Sequence, residues 1–228
     1  MAVELRYLRL PDELPQAQFH TWCKLLPPSD QQKVKRYRAQ GDQWRALVGR
    51  LLLLQILMQQ FDKPQNVLEN IQTDHLDKPF FLDGPYFNLS HTGSWLMAAV
   101  SEQGPIGVDI EVHRKVNFDH LRPQMKEQEW ELIENDADPL ALFFDYWVKK
   151  ESVVKADGRG IRVNLANLNL EGNHAELDGN HWYLLPYSLA ADCPGCLCSA
   201  QSISGVTPKE ETWQSFIEYL SLLSPDVR

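Results

Sequence analysis

Two segments of the chain carry apolar residues three or four positions apart, the spacing that places side chains on one face of a helix. One begins at Gly41 or Asp42 and continues for about twenty residues. The other, Leu140–Ala156, has Pro139 before it and Gly158 after it, which are typical residues of helix ends. Shorter helices are predicted over Asp12–Leu26, over Gln31–Arg38 with Ser29 or Asp30 as the N-cap, over Phe118–Arg122, over Lys126–Asn135 and over residues 209–222.

Short extended segments bounded by turn residues alternate with these helices. Tyr86–Leu89, Trp95–Ser101 and Ile106–Val112 are predicted to form a three-stranded meander, with residues 90–94 as the loop between the first two strands. This mixture of helices and strands indicates an α+β or α/β fold. The remaining extended segments are Val67–Gln72, residues 80–81, Leu168–Glu171, Trp182–Ala190 and Cys196–Ser204, with a turn at residues 193–195.

Charge is distributed unevenly along the 228 residues, which carry a formal net charge of −9. Such an acidic chain is poorly suited to binding duplex nucleic acid, which needs a basic surface. Residues 33–50, however, contain six basic residues and a single acidic one. One concentrated basic segment in an acidic protein favours a small anionic ligand over a long polyanion.

Segments that would direct the chain out of the cytoplasm are not evident. The first fifteen residues are charged throughout, unlike the apolar centre of a signal peptide. The strongest apolar run, Ala46–Met58, is much shorter than the roughly 20 residues that span a bilayer. With four cysteines only, the chain does not resemble a disulfide scaffold, so we expect a reduced cytoplasmic location without membrane association.

Asp109 and Glu111 lie two residues apart on a predicted strand, so their side chains project from the same face. Val108 and Ile110 then project from the opposite, apolar face. Two neighbouring carboxylates suit a hard divalent cation such as Mg²⁺, which prefers oxygen ligands. The pair alone also fits a solvated acidic face on an edge strand.

Trp147, Glu151 and Lys155 follow one another at four-residue intervals on the predicted helix Leu140–Ala156. A surface ion pair between Glu151 and Lys155 is the simplest explanation. The tryptophan on the same stripe argues instead that this face is partly buried, where a carboxylate beside a lysine has larger consequences. Glu151 and Lys155 are therefore candidates for a functional role, and Glu151 would be a third carboxylate for Mg²⁺.

Small polar residues in the predicted loop after Leu89 could hold phosphate oxygens through their exposed amides. Basic side chains elsewhere in the chain could meet a ligand with several phosphates. An ordinary polar loop and a solvated basic face explain the same residues. The residues in question are Ser90, His91, Lys33, Arg45 and Lys78.

Cysteines cluster near the C-terminus, where Cys193 and Cys196 have C-x-x-C spacing and Cys198 follows. This spacing occurs in zinc and redox sites. The Pro-Gly pair between the first two cysteines fits a hairpin turn, and no histidine pair lies at zinc-finger spacing. A structural turn is therefore favoured over a metal site.

Taken together, these segments resemble the signatures of the Sfp-type 4′-phosphopantetheinyl transferases. Residues 107–111 read Gly-Val-Asp-Ile-Glu, similar to the family strand G-[IV]-D-x-E. Residues 147–155 read Trp-Val-Lys-Lys-Glu-Ser-Val-Val-Lys, similar to the family helix W-[SC]-x-K-E-[SA]-x-x-K. Three further elements stand in family order: Asp-Gln-Trp-Arg at 42–45, Asp-Lys-Pro at 77–79 and Phe-Asn-Leu-Ser-His-Thr-Gly at 87–93.

The resemblance implies two pseudo-symmetric α+β lobes, residues 1–104 and 105–228, with coenzyme A bound in the cleft between them. It implies that Asp109, Glu111 and Glu151 are ligands of Mg²⁺, or alternatively of Mn²⁺. It also implies coenzyme A contacts for Lys33, Arg45, Lys78, Asn88, Ser90, His91, Asp109 and Lys155, with Lys155 at the pyrophosphate.

The activity implied by the resemblance is transfer of the 4′-phosphopantetheine arm of coenzyme A to a serine hydroxyl of an apo acyl or peptidyl carrier protein. A monomer acting in fatty-acid, polyketide or nonribosomal-peptide biosynthesis is expected. Glu151, or a water that it shares with the metal, would accept the serine proton, and Mg²⁺ and Lys155 would neutralise charge on the phosphoryl oxygens.

Two alternatives stay open. A metal-dependent exonuclease or phosphohydrolase could also use an Asp109-x-Glu111 strand, although the acidic balance of the chain disfavours binding to nucleic acid. An inactive module that binds carrier proteins is the second alternative. The presence of all three carboxylates and Lys155 argues against such a loss of activity.

Overall fold

The computed structural model describes residues 3–223, apart from the side chain of residue 161. Its α-helices are α1 (Gln16–Cys23), α2 (Pro28–Arg36), α3 (Gln40–Phe61), α4 (Phe118–Leu121), α5 (Glu127–Glu134), α6 (Pro139–Asp157) and α7 (Trp213–Leu223). The strands are β1 (Val3–Arg9), β2 (Ile71–Thr73), β3 (Pro79–Phe81), β4 (Tyr86–Thr92), β5 (Trp95–Ser101), β6 (Ile106–Ile110), β7 (Asn169–Glu171), β8 (His174–Leu177), β9 (Asn180–Ala190), β10 (Cys193–Ser199) and β11 (Lys209–Glu210). Short 3₁₀ turns occur at Val67–Asn70, Arg122–Gln124, Gly160–Arg162 and Leu165–Asn167.

The strands form two main sheets and one hairpin. The first sheet has the order β11-β1-β5-β4, the second has the order β6-β10-β9-β8-β7, and β2 pairs with β3. In each half of the chain a long helix packs against the sheet: α3 contacts β5, and α6 contacts β6 and β10. The predicted α+β class is confirmed.

The predicted meander of three strands is wrong. β4 and β5 pair as expected, but β6 pairs with β10 in the second sheet. The chain therefore crosses from one sheet to the other between Ser101 and Ile106. All five residues of β6 are buried, because α6 covers one side of the strand and the first sheet lies beside it. Adjacency in sequence was a poor guide to strand pairing at this crossing.

The two long helices are confirmed with nearly the predicted bounds. Helix α3 is buried over much of its surface because α1, α2 and the first sheet contact it. Helix α6 begins with Pro139, and the side chain of Asp138 accepts a hydrogen bond from the amide of Ala141. It ends at Gly158, whose φ of 92° lies in the left-handed region that glycine tolerates best.

The end of the chain returns to the first sheet. β11 pairs with β1 in parallel, and Phe216 and Leu220 of α7 are buried in the same core as α3. The buried side chain of Arg6 on β1 ties these elements together, since its guanidinium contacts Glu4 and Glu211. The division of the chain into residues 1–104 and 105–228 stays a prediction. Residues 209–223, although they belong to the second half, contact the first half.

Several local predictions are corrected. Residues 90–92 belong to β4 instead of a loop, so the turn before β5 is confined to Gly93 and Ser94. Residues 193–195 are part of β10 instead of a turn, because the reversal occurs two residues earlier. The Asp30 side chain does not cap α2 but is buried 3.5 Å from Arg50. Strands β1, β8 and β11 have no counterpart among the predicted elements.

Within residues 3–223, no helix is both long enough and apolar enough to cross a bilayer.

Candidate functional site

A glycine allows helix α6 to lie directly against strand β6. A Cβ atom on Gly107 would be 2.1 Å from the carbonyl oxygen of Ser152 and 2.4 Å from the amide nitrogen of Ala156. Such distances are far below van der Waals contact, so only glycine fits this position without displacing the helix. The close approach brings the helix residues Glu151 and Lys155 next to Asp109 on the strand.

The Lys155 ammonium is the centre of this contact. Its Nζ lies 2.6 Å from Oδ1 of Asp109, 2.9 Å from the hydroxyl of Ser90 and 3.1 Å from the carbonyl oxygen of Val108. The ammonium therefore joins α6 of the second half to β4 of the first half through β6. Charge-assisted hydrogen bonds of this kind are among the stronger polar contacts in proteins.

Asp109 is only 5% exposed, and its two carboxylate oxygens have different surroundings. Oδ1 accepts hydrogen bonds from Lys155 and Ser90. Oδ2 is buried and has no hydrogen-bond partner among the described residues. Burial raises the pKa of Asp109 above its ordinary value, and the charge of Lys155 opposes this shift. An unpartnered buried oxygen of this kind favours a cationic or hydrogen-bonding ligand.

Glu151 and Glu111 add negative charge around Asp109. Burial raises the pKa of Glu151, and the carboxylates of Asp109 and Glu111 raise it further, while Lys155 opposes the shift. Oε2 of Glu111 accepts hydrogen bonds from Nη1 of Arg114 at 2.5 Å and from the hydroxyl of Thr92 at 3.3 Å. The negative charges of Asp109 and Glu111 therefore both act on Glu151.

These carboxylates do not form a ready-made metal site. Among the described residues, no three His, Cys, Asp or Glu side chains are grouped closely enough to hold a metal ion. The donor set nevertheless fits a hard divalent cation, because Oδ2 of Asp109 has no partner and a cation would relieve the repulsion with Glu151.

A cavity of about 470 Å³ opens beside this cluster. Glu151 and Lys155 lie on one wall, and the side chains of Lys78 and Asn88 reach it from the first half of the chain. The cavity is thus lined by residues from both halves of the chain. Further residues of the second half complete the lining: Trp147, Val154, Gly158, Gly160, Val163, Leu165, Leu121, His120 and Gln124.

Lys78 crosses the cleft from the β2–β3 hairpin to the end of α6. Its ammonium donates to the carbonyl oxygens of Lys155 at 2.8 Å and Ala156 at 3.0 Å. The last carbonyls of a helix lack partners within the helix and carry partial negative charge, so a cation there is favourable. Lys78 therefore fixes the helical turn that carries Lys155.

Replacing Lys78 by methionine should lower the free energy of unfolding by about 1–3 kcal/mol, because two hydrogen bonds from a charged donor are lost. Methionine keeps the apolar part of the side chain. Denaturant unfolding of Lys78→Met and of Lys115→Met, which alters an exposed lysine, measures the effect. Equal stability of the two variants would contradict this role for Lys78.

The other basic candidates lie outside the central cluster. Arg45 contacts the carboxylate of Asp42 and donates to the carbonyl of Gly93, 3.1 Å away, at the turn after β4. His91 is exposed on β4, and partial desolvation lowers its pKa, with further lowering by the charges of Arg45 and Lys155. Lys33 is exposed on α2, and no hydrogen bond or ion pair links it to the cluster within the described residues.

The cysteines of β10 are buried free thiols. Burial raises the pKa of Cys196 to about 12, which keeps the thiol protonated and unreactive near neutral pH. Neighbouring backbone positions on β10 pair with β6 and β9. A packing role is therefore supported, although the predicted turn is not.

One residue of the site had not been singled out from the sequence. The hydroxyl of Thr92 contacts the Glu111 carboxylate and accepts the backbone amide of Val112 at 3.0 Å. The signal was available in the sequence, since Asn88, Ser90 and Thr92 alternate as strand residues do. The interpretation of Ser90 and Thr92 as loop residues concealed it.

Family models match both halves of the chain. The model described as the 4′-phosphopantetheinyl transferase superfamily matches residues 105–189. The model described as the N-terminal part of 4′-phosphopantetheinyl transferases matches residues 14–103. The two matches meet at the crossing between the sheets, where the second half begins.

Curated relatives agree with these matches. The 4′-phosphopantetheinyl transferase Sfp of Bacillus subtilis is 26% identical over 91% of this chain and 95% of its own length. A putative 4′-phosphopantetheinyl transferase of Synechocystis sp. is 30% identical over 74% of each chain. The 4′-phosphopantetheinyl transferase gsp of Aneurinibacillus migulanus is 27% identical over 76% of this chain and 73% of its own.

The residues that these matches cover include the Asp109–Lys155 cluster, Glu151 and the cleft-facing residues Lys78 and Asn88. The chain belongs to the 4′-phosphopantetheinyl transferase superfamily.

Proposed function

We propose that the chain transfers the 4′-phosphopantetheine arm of coenzyme A to a serine hydroxyl of an apo acyl or peptidyl carrier protein in the cleft described above. One observation supports this proposal most strongly: Lys155, Asp109 and Ser90 are joined by hydrogen bonds beside Glu151, at the wall of a cavity between the two halves. Membership of the family supplies the reaction, and this cluster supplies groups suited to it.

In the proposed reaction, the serine oxygen forms a bond to the β-phosphorus of coenzyme A, and the bond to the α-phosphate oxygen breaks. Adenosine 3′,5′-bisphosphate leaves. The transition state spreads negative charge over the phosphoryl oxygens, so catalysis consists chiefly of positioning and electrostatic stabilisation. Lys155 would provide that stabilisation from its place on α6.

Glu151 is proposed to accept the serine proton. Burial and the charge of Asp109 raise its pKa, which makes the carboxylate a stronger base than an ordinary one. Its place on the cavity wall, one helical turn from Lys155, puts both groups at the same ligand.

Asp109, Glu111 and Glu151 would hold a divalent cation, Mg²⁺ or Mn²⁺, as oxygen ligands. When bound, such a cation would offset charge on the pyrophosphate of coenzyme A. The remaining candidates are proposed to bind the nucleotide part of coenzyme A: Lys33, Arg45, Lys78, Asn88, Ser90 and His91. The Ser90 hydroxyl already forms hydrogen bonds with Asp109 and Lys155, so its contact with coenzyme A would be an additional one.

The proposal includes a monomeric protein in the cytoplasm, where coenzyme A and carrier proteins of fatty-acid, polyketide or nonribosomal-peptide synthesis would be its partners. The acidic balance of the chain, −9, favours a small phosphorylated ligand over nucleic acid.

The experiment that tests the function is incubation of the protein with coenzyme A, Mg²⁺ and a panel of apo carrier proteins, followed by intact-mass measurement of each carrier. We expect at least one carrier to gain the mass of the phosphopantetheine arm. A carrier in which the acceptor serine is replaced by alanine is the control and should gain nothing. Absence of the added mass on every carrier would contradict the proposal.

Two further assays separate the alternatives. Hydrolysis of DNA in Mg²⁺ without coenzyme A would support an exonuclease. Binding of coenzyme A without transfer would support an inactive carrier-binding module.

Replacing Lys155 by alanine should reduce kcat more than it weakens coenzyme A binding. The lysine charge is expected to matter most where the phosphoryl oxygens become more negative in the transition state. Steady-state kinetics with varied coenzyme A measures the two effects, and Lys149→Ala on the same helix is the control. If the KM for coenzyme A rose while kcat stayed unchanged, Lys155 would be a binding residue instead.

A further inference from the structure

Two edge strands from different sheets lie side by side in this protein. β4 is the last strand of the first sheet, and β6 is the first strand of the second. Three backbone amides in residues 108–112 donate hydrogen bonds to side-chain oxygens of β4. In a regular sheet these amides would donate to backbone carbonyl oxygens of the neighbouring strand. The three contacts are spaced two residues apart on both strands: Val108 amide to Asn88 Oδ1 at 2.9 Å, Ile110 amide to Ser90 Oγ at 3.4 Å and Val112 amide to Thr92 Oγ1 at 3.0 Å.

The two hydroxyls in this series make a second contact as well. Ser90 Oγ accepts the amide of Ile110 and lies 3.0 Å from Oδ1 of Asp109, the residue just before Ile110. Thr92 Oγ1 accepts the amide of Val112 and lies 3.3 Å from Oε2 of Glu111, the residue just before Val112. A hydroxyl can donate one hydrogen bond while accepting others, so each can hold an amide and a carboxylate together.

We propose that Thr92 is a positioning residue for Glu111, as Ser90 is for Asp109. The Glu111 carboxylate receives its hydrogen bonds from Thr92 and Arg114 on the same oxygen, Oε2. This arrangement leaves the other oxygen, Oε1, for a ligand. Glu111 follows the last residue of β6, and its backbone amide donates to the carbonyl oxygen of Pro194 at 3.1 Å. This hydrogen bond fixes the backbone of Glu111, but the orientation of its side chain depends on a separate contact.

Thr92 is better suited to this role than Arg114. The Thr92 hydroxyl is carried on a buried strand residue, 8% exposed, whose β-branched side chain has restricted rotamers. The Arg114 side chain is 57% exposed, and an exposed ion pair is screened and weakly ordered. Loss of the hydroxyl should therefore free the Glu111 side chain even though Arg114 remains.

This inference rests on the proposed function, in which Glu111 helps to hold a divalent cation. The test replaces Thr92 by valine, which keeps the shape and removes the hydroxyl, and by serine, which keeps the hydroxyl. Thr73→Val alters an exposed strand threonine of the β2–β3 hairpin and is the matched control. Mn²⁺ binding is measured by titration without coenzyme A or carrier, and transfer is measured separately by intact mass.

We expect Thr92→Val to weaken Mn²⁺ binding by about 10- to 100-fold, the usual effect of removing a group that orients a metal ligand, with a parallel loss of transfer. Thr92→Ser and Thr73→Val should stay close to the wild type. Thermal melting confirms that each variant is folded.

Mn²⁺ binding by folded Thr92→Val equal to that of the wild type would overturn the inference, as would equal losses in folded Thr92→Ser and Thr92→Val. If the wild type binds Mn²⁺ but transfers nothing to any carrier, the proposed function fails. The Mn²⁺ affinities of the variants still decide the role of Thr92 in that case.

Discussion

Replacing Asp109 by asparagine is expected to slow transfer severely while the chain remains folded. The asparagine has nearly the same shape but no charge, so it loses the ion pair with Lys155 and the proposed cation ligand together. We expect the transfer rate to fall by about 10²- to 10³-fold or more, the range found when one electrostatic stabiliser of a transition state is removed. Discontinuous assays of holo-carrier formation over long times measure a loss of this size.

The stability of this variant should change little, because two effects oppose one another. The ion pair disappears, but so does a buried carboxylate with an unpartnered oxygen that raises the pKa of Glu151. Asp83→Asn, which alters an exposed residue before β4, is the control for the substitution itself. Normal labelling of a carrier by Asp109→Asn would contradict the assignment of the site.

Gly107→Ala is expected to have the second large effect, on stability and activity together. The added Cβ would collide with the backbone of α6 at Ser152 and Ala156, and backbone cannot rotate away as a side chain can. Overpacking of this kind costs about 1–3 kcal/mol, and we expect the upper end of that range. Displacement of α6 by about 1 Å would also move Glu151 and Lys155, for which a loss of about 10²-fold in rate is typical.

Gly49→Ala is the matched control for this substitution. Gly49 is also buried, on α3, but a Cβ there would lie 3.6 Å from Leu96, an ordinary contact. Alanine in a helix interior is about 0.5–1 kcal/mol more favourable than glycine, so Gly49→Ala should be neutral or stabilising. Denaturant unfolding of both variants gives the comparison. Similar stability of the two would show that α6 can move away from β6 without cost.

The elements with strong periodicity were predictable from the sequence. The bounds of α3 and α6 followed from apolar spacing and, for α6, from Pro139 and Gly158. The motif at residues 107–111 also has a structural role, which the apolar periodicity does not predict. Its glycine is required by the close approach of α6, and that contact joins two segments more than 40 residues apart.

Strand pairing was not predictable because it depends on contacts between distant segments. β6 could be recognised as a strand, but its partner β10 lies about 85 residues later. The position of Ser90 on a strand was missed for a related reason. Its small polar side chain is typical of a loop, and here that polarity serves a contact between strands of two sheets.

The most direct measurement counts both products of the reaction in one sample. Wild-type protein, coenzyme A, Mg²⁺ and an apo carrier are incubated, and adenosine 3′,5′-bisphosphate and the attached arm are each quantified. We predict one nucleotide released for each arm attached, and formation of both products slowed by about 10²- to 10³-fold or more with Asp109→Asn. Release of the nucleotide without attachment to the carrier would mean that water is the acceptor, and would contradict a transferase.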